Sequence, residues 1–127
     1  MTKNFKLEEF NCRCGCEMPE DVKSNIIKLA SQLQIIRDQV DKPITINSAY
    51  RCPKYNKKIG GASRSQHMYG KASDIVIKGL HPAKETYFLL DEMISDGDIL
   101  QGGLGRYDTF THYDIRKTKA RWDNTKK

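Results

Sequence analysis

One apolar stripe limits the folds open to this chain. In MPEDVKSNIIKLASQLQIIRDQV, Val22, Ile26, Leu29, Leu33, Ile36 and Val40 recur at steps of three and four residues. That is the period of one face of an α-helix. Pro19, followed by Glu20 and Asp21, suits the helix start, where a missing N–H does no harm and acidic side chains meet the positive end of the helix dipole. Pro43 ends it. A helix with one apolar face must bury that face against another layer. The strand-like runs are short. ITINSAYR alternates apolar and polar from Ile44, and DIVI is rich in β-branched residues; both read as strands. HPAKETYFLLDEMISDG reads as a second helix, opened at Pro82 and closed at Gly97. GGLGRY and FTHYDIR read as two strands joined by a turn at Asp108 and Thr109. The resulting order predicts an α+β fold, an antiparallel sheet with helices packed on one side.

The chain has 127 residues, which predicts one domain over 1–127 with a core large enough to need no staples. FKLEEF, near the start, is a short amphipathic segment. No run approaches the ~20 apolar residues of a membrane span. MTKNFKLEEF is charged and lacks an apolar run before a small-residue cleavage site, so no secretory signal is expected. The formal charge of +6 allows an anionic partner such as nucleic acid, anionic membrane or cell wall. The charge is dispersed, however, and its one dense stretch, RKTKARWDNTKK, also suits a solvated tail.

CPKYNKKIGGASRSQHMYGKAS is a long polar loop, with one helical turn near Lys54 to Ile59. Long loops inside compact domains are usually functional. Cys12, Cys14, Cys16 and Cys52 do not have the spacing of a CxxC zinc knuckle or a thioredoxin motif. They admit three readings: reduced thiols, a disulfide between the cluster and Cys52, or a cysteine-rich metal site.

The remaining candidates gather at strand ends. His67 and Asp74 flank the start of DIVI, and His112 lies in FTHYDIR. Side chains alternate along a strand, so Phe110, His112, Asp114 and Arg116 share one face. Two imidazoles and a carboxylate make the three-donor set of a catalytic zinc site, which leaves a fourth position to water. The plainer alternative is three unrelated surface residues. Gly70, Lys71 and Ala72 allow a tight turn that brings His67 towards Asp74. Gly102, Gly103 and Gly105 suggest a floor left open to a substrate backbone. His81, beside Pro82, reads as a surface or capping residue.

Taken in order, SAYRCPKYN, SRSQHMYGKASDI and GGLGRYDTFTHYDIRKTKARW resemble the zinc D-alanyl-D-alanine carboxypeptidase family, from about Phe5 to Trp122. The resemblance implies the hedgehog/DD-peptidase fold, a zinc ion, and a monomer acting on peptidoglycan stem peptides rather than on nucleic acid or membrane. It makes His67, Asp74 and His112 the zinc ligands. It implies that Arg51 contacts the scissile carbonyl or a substrate carboxylate. Ser65, Gln66, Tyr107 and Trp122 then border the substrate, although Trp122 equally suits a core cap. Several relatives carry a glutamate three residues before the last histidine, where this chain has Thr109. Asp114 is therefore the first candidate for general base; its alternative role is to orient a histidine ligand. Asp108 sits on the predicted turn and points outward.

The expected reaction is D-Ala-D-Ala carboxypeptidase cleavage. An L-alanyl-D-glutamate-type endopeptidase (an endolysin) and a non-catalytic zinc module of the same fold are the alternatives. Nucleic-acid binding through the basic surface is a further reading. Without a signal peptide, the chain suits a phage or prophage product, made in the cytoplasm and reaching the wall by lysis or within a particle.

Overall fold

In the computed structural model, which describes residues 1–126, the apolar stripe forms helix α1, Glu20–Val40. Ile26, Leu29, Leu33 and Ile36 are fully buried, and Val40 is half-buried at the last turn. Burying each such side chain contributes about 1.5–3 kcal/mol. The helix stops where Asp41 turns left-handed, at φ 51°, two residues before Pro43.

The elements that follow are β1 (Ile44–Ser48), α2 (Pro53–Lys58), β2 (Ala72–Ile77), α3 (Tyr87–Ser95), β3 (Gly103–Arg106), β4 (Thr111–Asp114) and β5 (Ala120–Asp123). The helix expected at Pro82 opens as a π-helical turn, Pro82–Thr86, and continues into α3. His81 caps it, its Nδ1 accepting from the N–H groups of Ala83 and Lys84 at 3.2 Å each. Phe5 and Phe10, around a short 3₁₀ turn, are buried edge to face against the same core.

The strand order is β1-β2-β4-β3-β5. The first three pairings are antiparallel, as expected; β5 instead runs parallel to β3. This strand lies within the stretch read as a basic tail. Its charges are engaged: Arg121 donates to Asp91 of α3 at 3.0 Å, and Arg106 of β3 pairs with Asp123 at 3.1 Å.

The two faces of the sheet differ. Ile75, Ile77, Leu104 and Tyr113 lie in one core with the buried sides of α1 and α3. The opposite face carries a row across all five strands. Ser48 pairs with Asp74, Asp74 with His112, His112 with Gly105, and Gly105 with Trp122. A register shift between Ile46 and Ser48 brings Ser48 into this row, because one extra residue reverses the facing of the strand beyond it. No helix among the described residues is long and apolar enough to cross a membrane.

Candidate metal centre

His67 reaches the row from a separate element. It sits in a 3₁₀ turn, Gln66–Tyr69, opened by Ser65, whose hydroxyl accepts from the His67 N–H at 3.2 Å. Gly70 closes the turn at φ +72°, and a β-carbon there would overlap Val22 of α1. The turn is thus pressed onto α1, and only glycine fits at its end. Arg51 joins the turn through its backbone N–H, which donates to the His67 carbonyl at 3.1 Å.

The three expected donors converge. Asp74 Oδ1 lies 3.3 Å from His67 Nε2 and 3.1 Å from His112 Nδ1. All three residues are buried, and their donor atoms lie within 4.8 Å of one another. Each imidazole has its other nitrogen engaged. His67 Nδ1 is 2.7 Å from the Ala49 carbonyl, and His112 Nε2 is 2.7 Å from Asp114 Oδ2. A carbonyl only accepts, so His67 carries a proton on Nδ1 and turns Nε2 to the site. The carboxylate of Asp114 likewise keeps a proton on His112 Nε2 and turns Nδ1 towards Asp74.

Burial pushes the Asp74 carboxyl upward, but hydrogen bonds from His112 and His67 outweigh it and hold it well below the usual carboxylate range. Burial pushes His112 downward, and its bonds to Asp114 and Asp74 more than reverse this. Two nitrogens and one carboxylate oxygen, each oriented from behind, fit a zinc ion by donor type and number.

Asp114 is fully buried. Beyond His112, its oxygens accept from the Gly103 N–H at 2.8 Å and from Arg116 Nε and Nη2 at 2.9 and 2.7 Å. Burial raises its carboxyl, but these bonds dominate and hold it low.

The donors open onto a cavity of about 620 Å³. Arg51, Ser65, Gln66, Tyr107 and Trp122, all expected near substrate, line it. So do Arg64 and Arg116, which had no expected role. Among the described residues Asp74 is the cavity's one carboxylate; Asp114, Asp108 and Thr109 do not line it. The Asp108 carboxylate instead accepts from the Lys126 N–H at 3.0 Å. Arg51 extends over Asp74, with Nη2 at 3.4 Å from Oδ2, and is steadied by Ser48 Oγ at 3.2 Å and Asn56 Oδ1 at 3.4 Å. The Trp122 indole lies 4.9 Å from the His112 ring and donates to the Tyr107 hydroxyl at 2.9 Å.

The glycines correct an expectation. Space above them is filled by the protein itself. A β-carbon on Gly103 would strike Asp114 and Arg116, one on Gly105 the Trp122 indole, and one on Gly102 the Asp114 backbone. They admit Asp114 and Trp122 to the site and do not line the cavity.

Three donors at the floor of an open cavity leave coordination space on the cavity side, which separates a metalloenzyme site from a closed structural one. The chain belongs to the M15 peptidase family, whose model matches residues 3–114 and so includes all three donors. It is also similar to a zinc D-Ala-D-Ala carboxypeptidase of Streptomyces albus G. The two are 37% identical over 79 residues, covering 57% of this chain and 31% of that enzyme. The chain therefore spans about a third of the length of this curated relative.

Proposed function

We propose that the protein is a zinc-dependent peptidase of peptidoglycan stem peptides that releases the terminal residue from D-Ala-D-Ala ends. The convergence of His67 Nε2, His112 Nδ1 and the Asp74 carboxylate on one open cavity carries this reading. Zinc held by these donors supplies Lewis-acid activation of water and of the scissile carbonyl. The similarity to the Streptomyces carboxypeptidase supports the substrate class. Arg64, exposed at the cavity, and Arg51, beside Asp74, favour a substrate that ends in a carboxylate, Arg116 being already forked onto Asp114, and so favour the carboxypeptidase over internal cleavage.

The side chains divide the work. Ala49 and Asp114 lock the two imidazoles in the tautomers that face the site. In this reading Asp114 is a positioning residue, since both of its oxygens are bonded to His112, Arg116 and Gly103 and it does not itself line the cavity. Arg51 is always cationic and offers a planar fork to a carbonyl oxygen or terminal carboxylate. The Tyr107 hydroxyl accepts from Trp122, which leaves its own O–H to donate to a substrate carbonyl. Ser65 and Gln66 border the peptide, and Trp122 closes one side of the cavity.

The test is incubation of zinc-loaded protein with purified peptidoglycan, with and without chelator, and mass spectrometry of the products. D-Alanine release that chelator abolishes and zinc restores is expected. New termini inside the stem peptide would replace the carboxypeptidase with an endopeptidase. No product from zinc-loaded protein on any wall type would sink the peptidase reading.

A further inference from the structure

A second group of donors lies outside the cavity. Cys12, Cys14, Cys16 and Cys52 bring their four sulfur atoms within 4.8 Å of one another. Cys12 and Cys14 are 3.3 Å apart, Cys14 and Cys52 3.4 Å, and Cys12 and Cys52 3.8 Å. A disulfide holds its sulfurs at about 2.05 Å, and all four thiols are free. Zinc in a tetrahedral thiolate shell lies about 2.3 Å from each sulfur, which sets neighbouring sulfurs ~3.8 Å apart. The observed spacings match that edge, slightly contracted. We propose that these four cysteines form a second, structural metal site that binds one zinc ion as a tetrathiolate.

The local chain explains how so tight a spacing in sequence yields four converging donors. In an extended Cys-x-Cys-x-Cys segment all three sulfurs would project in a line. Here Gly15 adopts φ +81° and its N–H donates to the Cys12 carbonyl at 3.0 Å, so the segment curls. Cys52 closes the group from the loop after β1. Two backbone donors point at sulfur: Cys52 N–H to Cys12 Sγ and Tyr55 N–H to Cys52 Sγ, both at 3.4 Å. Such donors ease the charge on thiolates.

Charge balance agrees. Four thiolates and a divalent cation leave a net charge of −2. The cavity beside the cluster is lined by Arg13, Lys54 and Lys58 and, among the described residues, by no carboxylate. Soft sulfur donors in a tetrahedral set select zinc over magnesium or calcium, and four protein ligands leave no open position for a substrate. The site is thus structural. It fastens the N-terminal segment to Cys52, the residue directly after Arg51. The fastening is reinforced by the Tyr50 N–H on the Phe10 carbonyl at 3.1 Å and by Arg13 on the Ile46 and Asn47 carbonyls at 3.1 and 2.7 Å.

The test uses the full chain, purified under reducing conditions and loaded with zinc or with cobalt(II) alone. The wild type is expected to show an intense sulfur-to-cobalt charge-transfer band. The His67→Ala/His112→Ala double variant should keep that band and retain one tightly bound zinc by elemental analysis. Cys14→Ser removes an exposed thiol, and should lose the band and one equivalent of zinc. Thiols in the zinc-loaded protein should resist alkylation until a chelator is added. A cobalt complex without the thiolate band, or freely reactive thiols in zinc-loaded protein, would overturn the proposal. So would a mass lighter by the hydrogens of a disulfide under non-reducing conditions. None of these readouts depends on peptidase activity, and the double histidine variant decides the matter even if the cysteine variant fails to fold.

Discussion

Asp114 contacts His112, Arg116 and Gly103 at once. Replacing it with asparagine keeps the shape and removes the charge that holds the His112 proton on Nε2. Loss of such a partner typically weakens metal binding about 10–100-fold. Asp114→Asn is expected to show that loss in a competition titration against a chromophoric chelator. Unchanged affinity with lost turnover would instead make Asp114 the proton acceptor. At this scale the sequence shows what a side chain can offer but not what faces it. His67, Asp74 and His112 were legible because donor chemistry is written in the residue type. Strand alternation also put Arg116 on the face of Asp114. The fork between them was not legible, because a shared face does not say which side chains along it bond to one another. The glycines misled for a related reason: a missing side chain marks space without saying who occupies it.

Among the elements, α1 was the most legible, since its period survives any tertiary arrangement. It is also a main support of the core. Leu33 is fully buried in that core. Leu33→Ala is therefore expected to cost about 2–5 kcal/mol, read as a lower denaturant midpoint. A cost well under 1 kcal/mol would mean that α1 is not packed as described. β5 was illegible. ARWD alternates apolar and polar, but over four residues only; it has no β-branched residue, and the basic residues around it suggested solvent. It forms because β3 presents an unpaired edge, and because the Arg121–Asp91 pair and the Trp122–Tyr107 bond fix its register. Both partners are distant in sequence, so no local pattern records them.

For the whole molecule, the row from Ser48 to Trp122 sets an order of events. Its members come from positions 48, 74, 112, 105 and 122, and His67 joins from a loop. Only the β3–β4 hairpin links neighbours close in sequence. The donors cannot meet until β2 has paired with β4, a long-range step, and such pairing is the slow part of folding. A cation at the histidine site therefore encounters strands that are already paired. Mutational logic applies to it as to any late contact: it acts on escape from the native state and leaves entry untouched. In the Cys14→Ser background, where only the histidine site reports, zinc should slow unfolding in denaturant and leave the refolding rate unchanged. Faster refolding with zinc would show that the donors assemble early. The metal that serves the chemistry would then act as a latch on the folded sheet, closing after the fold is made and setting how long it lasts.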